Sequence, residues 1–162
     1  MRKFSVILFV LCALGLLSAQ TATRKAKTSN PWIGTWKLDV SQSKFPEGQT
    51  PKSETLHITA AGKNGTAYTF RGVDAKGKPI NERYHSAGNG KEGSMMVGGK
   101  AAGKASYTLQ DDNTVTGEGE SPDGTKWTMK ASLSDDHKTM TSDFHFTPAQ
   151  GSEYDQTEVY KK

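Results

Sequence analysis

From Pro31 onward the large side chains fall at every second position, in short runs that Gly, Asn, Asp and Pro interrupt every ~8 to 12 residues. Period two places successive side chains on opposite faces of an extended chain, so each run has one apolar and one polar face, which is the pattern of half-buried strands. Residues 33–40 carry Trp36, Leu38 and Val40 on one parity, and 54–60 carry Leu56 and Ile58. Residues 67–73 place Tyr68 and Phe70 together, and the next run places Ile80, Glu82 and Tyr84 on a common side. Met95 and Val97 continue the pattern, followed by Ala105, Tyr107 and Leu109, then by a strand opening at Val115. Trp127, Met129, Ala131 and Leu133 alternate for four steps, Met140, Phe144 and Phe146 share a face, and 154–160 reads as a closing strand. No segment has the three-and-four spacing of a helix, although 41–45 has room for one turn.

The connections have matching chemistry. Lys63-Asn64-Gly65-Thr66 contains the Asn-Gly pair that favours tight hairpins. Lys76-Gly77-Lys78-Pro79, Asp111-Asp112-Asn113, Ser121-Pro122-Asp123-Gly124 and Ser134-Asp135-Asp136-His137 are turns by composition. About ten short strands with no helix to cover an edge predict an all-β fold: a single up-and-down antiparallel β-barrel of about 8–10 strands, with a β-sandwich as the alternative.

The domain is preceded by a different kind of sequence. Arg2 and Lys3 are followed by an apolar run over 4–17 that ends in Ser18-Ala19, the layout of a secretory signal peptide. At about 14 residues the run is too short to span a hydrocarbon core, so cleavage after Ala19 or Ala22 and no stable membrane span in the mature chain are expected. Residues 1–19 are thus read as a signal peptide, 20–30 as a flexible polar leader and 31–162 as the barrel domain, in a secreted or periplasmic protein. The single cysteine, Cys12, lies in the leader run, so the mature chain has neither a disulfide nor a thiolate. The 21 basic side chains exceed the 17 acidic ones by little, and two of the basic ones, Arg2 and Lys3, are in the signal peptide, which gives no case for a nucleic-acid partner. Nothing in the sequence fixes the oligomeric state.

Gly34-Thr35-Trp36 at the start of the first strand resembles the Gly-x-Trp opening of the lipocalin, fatty-acid-binding and avidin group. That likeness implies a barrel whose tryptophan closes one end. The stretch Gly34-Thr35-Trp36-Lys37-Leu38-Asp39 is similar to a group of uncharacterised exported bacterial proteins described as lipocalin-like. Ser43-Lys44-Phe45, Pro51-Lys52-Ser53, the segment at 72–79 and the Val159-Tyr160-Lys161 ending carry the same likeness. The lipocalin pattern adds a late arginine that packs on the tryptophan, whereas the last arginine here is Arg83.

An inward face of this kind predicts a ligand-lining set of Trp36, Tyr68, Phe70, Glu82, Tyr84, Trp127 and Phe144, with Trp32, Phe146, Ala131 and Ser142 beside them. Glu82, Tyr68 or Tyr84 would orient the polar end of a small hydrophobic ligand. The glycine-rich stretch 87–104 reads as a flap over the barrel mouth. Its Gly98-Gly99-Lys100-Ala101-Ala102-Gly103-Lys104 approaches a phosphate-binding loop, but Ala105 follows where a hydroxyl is needed and no helix follows. His57, His85 and His145 fall on polar parities and His137 in a turn, without the spacing of a metal site. No Gly-x-Ser-x-Gly elbow occurs, and no carboxylate pair is singled out for catalysis. The expectation is an exported, lipocalin-like, non-catalytic barrel without a cofactor that binds a small apolar or amphipathic molecule. The alternative is a structural or interaction protein of the cell envelope with a filled barrel.

Overall fold

A computed structural model describes residues 30–162; the signal peptide, its cleavage sites and the leader up to residue 29 lie outside the described residues. Among the described residues ten strands run in sequence: β1 (Gly34–Leu38), β2 (Ser53–Ala60), β3 (Ala67–Val73), β4 (Pro79–His85), β5 (Glu92–Val97), β6 (Lys100–Asp111), β7 (Thr114–Glu120), β8 (Lys126–Leu133), β9 (Thr139–Thr147) and β10 (Tyr154–Lys161). Each pairs antiparallel with its neighbours in sequence, and β1 pairs with β10, which closes one up-and-down barrel. The two-sheet alternative is thereby excluded. Closure removes the unpaired edges that a helix-free sheet would otherwise present to solvent.

Parity decides what is inside. Leu56, Ile58, Tyr68, Tyr84, Met95, Ala105, Tyr107, Trp127, Ala131, Leu133 and Met140 are all buried, each on the side predicted from alternation. The first strand is shorter than the pattern suggests: Ile33 and Val40 flank β1 and are exposed, because the chain turns after Leu38. That turn is held by Asp39, whose carbonyl accepts from the Ser43 N–H at 3.2 Å. It is a single turn and no helix develops. The segment then lies along β10, bridging Lys44 to Thr157, and covers the outward side of Val159.

Two connections differ in kind from their sequence reading. Stretch 87–104 is not a flap: β5 and β6 pair from Glu92↔Ser106 to Val97↔Lys100, and Gly98 and Gly99 form a two-residue hairpin between them. Both glycines have positive φ, 56° and 82°, which is what a two-residue hairpin turn of matching twist demands. At 63–66, the hairpin between β2 and β3 exists, but its turn closes from Gly62 to Gly65, and of the Asn-Gly pair only Gly65 has positive φ. Asn30, placed in the leader by composition, is already part of the fold. Its side chain donates to the Ala61 carbonyl at 2.8 Å and accepts from the Trp32 N–H at 3.0 Å.

One end of the barrel is plugged. Trp36 is fully buried and donates its indole N–H to the Trp32 carbonyl at 2.9 Å; Trp32 in turn donates to the Asp112 carbonyl at 2.9 Å. Lys162 lies over the Trp36 ring, its Nζ 4.7 Å from the centroid, and donates to the Pro31 carbonyl at 2.6 Å. Lys162 thus places a cation–π contact on the ring that closes this end.

Strand β7 makes space for large neighbours. Gly117 and Gly119 pair with Tyr107 on β6 and Trp127 on β8. A Cβ at Gly117 would lie 2.7 Å from the Tyr107 ring, and one at Gly119 would overlap the Trp127 ring, so both rings lean over bare backbone. Gly119→Ala should displace Trp127 and cost about 1–3 kcal/mol, the usual penalty of overpacking. Urea unfolding and the Trp127 emission maximum would check this; an unchanged midpoint would show the ring is free to move.

Candidate functional site

The inward side chains do not fill the barrel. They enclose a cavity of about 750 Å³, within the range of small-molecule sites. Trp32, Ala61 and Gly62 lie at its plugged end, whereas Val97, Pro122 and Asp123 line the other end and are exposed. The mouth is therefore framed by the β5–β6 and β7–β8 hairpins. A filled barrel is excluded.

Of the seven residues predicted to line the interior, Tyr68, Phe70, Glu82, Trp127 and Phe144 do so. Trp36 and Tyr84 do not. Trp36 is beneath the floor, and Tyr84 is packed in the wall with its hydroxyl donating to the Ala105 carbonyl at 3.0 Å. Tyr84 stacks on Tyr68, ring centroids 5.2 Å apart, and meets Tyr107 edge-on at 4.9 Å. It supports the lining from behind. From Tyr107 the rings continue through Trp127 at 5.9 Å, Phe144 at 5.9 Å and Phe146 at 5.7 Å, forming an aromatic wall across β6, β8 and β9.

The facing wall is acidic. Glu54 on β2 and Glu158 on β10 join Glu82 on β4. The barrel order brings these strands together on the side away from β7. Glu54 shares the parity of Leu56 and Ile58, and Glu158 that of Tyr160, so both had an inward signal in the sequence.

Two tyrosine-centred clusters hold the acids. Tyr68 donates to Glu82 at 3.1 Å, and its oxygen lies 2.9 Å from the Tyr107 hydroxyl, which donates to it. Tyr160 sits between Glu54 and Glu158, 2.8 Å from the latter, and Gln156 donates to the other Glu158 oxygen at 2.6 Å. A phenol has one proton, so the two carboxyl contacts of Tyr160 require a second proton, supplied by a neutral carboxyl. Burial pushes the Glu158 carboxyl up to about 7, and the nearby Glu54 and Glu82 charges push it the same way, against the hydrogen bonds of Tyr160 and Gln156. Desolvation likewise raises Glu54 and Glu82 above the ordinary range. Tyr68, Tyr107 and Tyr160 are raised too and stay protonated.

Among the described residues no group of three His, Cys, Asp or Glu is arranged to hold a metal, and no helix is long and apolar enough to cross a membrane. His57, His85 and His145 are exposed, and His137 contacts Asn113 at 2.9 Å. The segment 98–104 is a hairpin and a strand, with no helix N-terminus to receive a phosphate.

The raised acid sets a sign for stability against pH. An unfolded glutamate titrates near 4.5 and folded Glu158 near 7, so between them the folded state holds a proton that the unfolded state has released. The contribution is complete below 4.5 and disappears as pH rises through about 7, amounting to about 3 kcal/mol. Glu158→Gln keeps an acceptor for Gln156 and gains a donor for Tyr160. Its stability relative to the parent should therefore rise by roughly that amount between pH 5 and pH 8. Paired urea titrations at the two pH values check it; a pH-independent difference would mean Glu158 ionises normally.

No protein-family model and no curated protein matches the chain. Among solved structures it is similar to EF1p2_mFAP2b bound to DFHBI, with a TM-score of 0.51 at 15% identity over 82% of this chain and 94% of that one. It is also similar to mFAP1, a redesigned β-barrel bound to DFHBI, with a TM-score of 0.49 at 16% identity over 82% and 95% of the two chains. A third likeness is to a de novo designed fluorescence-activating β-barrel, with a TM-score of 0.43 at 15% identity over 81% and 94%. The first likeness agrees with the strand pairing: the chain is a closed antiparallel β-barrel.

Proposed function

We propose that this chain is an exported, lipocalin-like binding protein that takes a small apolar or amphipathic molecule into its barrel and performs no chemistry on it. The observation that carries this reading is the open cavity of about 750 Å³, apolar over most of its lining and plugged at one end by tryptophan. A domain of this size gains stability by filling its centre, so leaving it empty is unfavourable unless a ligand uses the space. EF1p2_mFAP2b, whose fold is similar, is bound to DFHBI, and binding of a small molecule is likewise inferred here. Export rests on the leader sequence, with its basic start and apolar run at 4–17. Affinity would come from burying ligand against Phe70, Trp127, Met129 and Phe144 at about 25 cal/mol per Å² of apolar area, with Glu82 and Tyr68 orienting a polar end.

The neutral fluorophore N-phenyl-1-naphthylamine tests it. Saturable binding near one per chain, with energy transfer from tryptophan, is the expected result. Ala131→Trp, which projects an indole into the lumen from β8, should weaken the binding by at least about ten-fold with the fold retained by circular dichroism. Ala102→Trp, nearer the mouth, should do the same. Non-saturable uptake, or an affinity unchanged from the parent in both filled variants, would reject the cavity as the site.

A further inference from the structure

The cavity is chemically one-sided. Its lining includes Glu54, Glu82, Glu158 and, at the rim, Asp123, and among the described lining residues there is no Lys, Arg or His. Every ionisable group of ordinary acidity or basicity facing the lumen is therefore a carboxyl. Their hydrogen bonds are incomplete in a particular way. Glu82 receives Tyr68 on one oxygen, and Glu54 receives Tyr160 on one oxygen. Among the described residues no buried side-chain polar atom is left without a partner, so the remaining carboxyl oxygens are ones that a molecule in the lumen can reach.

The opposite wall suits the same guest. Trp127, Phe144 and Phe146 line the cavity together with Met129, and aromatic faces attract organic cations as well as apolar bodies. A bare metal ion fits poorly, since no three ligating side chains converge among the described residues. A molecule with one positive head and a flat or aliphatic body meets both walls at once.

Resting on the reading of the cavity as a binding site, we propose that its ligand is an amphipathic organic cation, with an amine or quaternary ammonium head among Glu54, Glu82 and Glu158 and its body against the β6–β9 aromatic wall. The cation supplies the counter-charge that the lining lacks, which stabilises the ionised carboxylates over the neutral acids. The groups facing Glu158 are Glu54 from β2, Glu82 from β4, Tyr107 from β6 and, on its own strand, Gln156 and Tyr160, with Tyr68 from β3 one step further, bonded to Glu82 and Tyr107. All the titratable ones are acids, so no basic neighbour offsets the sign. Binding of a permanent cation should release a proton near neutral pH and strengthen as pH rises from 6 to 8.

Diphenylhexatriene supplies matched probes: the trimethylammonium derivative, the neutral parent and the propionic acid derivative. At pH 8 the cation should bind roughly ten-fold more tightly than the propionate, and this ratio should shrink toward pH 5. The triple variant Glu54→Gln, Glu82→Gln, Glu158→Gln should lower the ratio of cation affinity to neutral-parent affinity about ten-fold. Glu82→Gln alone, whose position keeps its Tyr68 bond, should give a smaller loss of the same sign if the triple variant does not fold. Equal affinities for the three probes, or preference for the propionate, with N-phenyl-1-naphthylamine still bound one per chain, would overturn the charge assignment and leave the binding reading standing. Failure of every probe, N-phenyl-1-naphthylamine included, would overturn both.

Discussion

The barrel depends on a short seam. β9 and β10 are in register over eight positions, but β1 and β10 meet at only two, Lys37↔Lys161 and Leu38↔Tyr160. Contacts outside the ladder support this closure. The Asp39 N–H donates to the Val159 carbonyl at 2.7 Å, Lys44 and Thr157 exchange backbone hydrogen bonds, and Lys162 reaches across to Pro31 and the Trp36 ring. If the seam opened, β1 and β10 would become free edges and water would enter beside Tyr160, one of the most deeply buried side chains. Glu54 and Glu158, both bonded to that tyrosine, would be solvated and titrate normally. Closure and the acidity of the site are therefore one constraint.

Packing is distributed unevenly along the axis. At the plugged end Trp32 and Trp36 satisfy their indole N–H groups on backbone carbonyls, so two large rings are buried without leaving a polar atom unpaired. Around the middle the rings lie against the wall instead of crossing the lumen. Tyr107 and Trp127 can do so because Gly117 and Gly119 between them carry no side chain. Stability is concentrated where nothing has to enter, and space is preserved where something can.

Much of this was legible as alternation. The inward parity of β2, β3, β4, β6, β8 and β9 follows from Leu56, Tyr68, Tyr84, Tyr107, Trp127 and Met140, because a one-residue slip would turn each to solvent. Clustered glycine misled: Gly98-Gly99 looks like flexible sequence, whereas two adjacent positive-φ residues make a tight and well-defined hairpin. Trp36 and Tyr84 have the right parity yet lie behind or beneath the lining, since parity specifies a face of the sheet and not a depth along the axis. Strand β7 shows the opposite failure. Gly117 and Gly119 have no hydrophobicity to register, and their role is visible only once the neighbours in the sheet are known.

The three glutamates separate folding from function. Each accepts hydrogen bonds that an uncharged glutamine would also accept, from Tyr68, Tyr160 and Gln156. A glutamine in their place would carry no desolvated charge and would not repel its neighbours, so the fold gains nothing from the carboxyl that an amide could not provide. What the carboxyls alone supply is negative potential in a lumen without a positive side chain among its described lining residues. Local choices that oppose stability without a structural return are characteristic of sites selected for what they bind. Such a choice made three times, from three separate strands converging on one cavity, is the physical basis of the proposal that the acidic wall meets the ligand's charge.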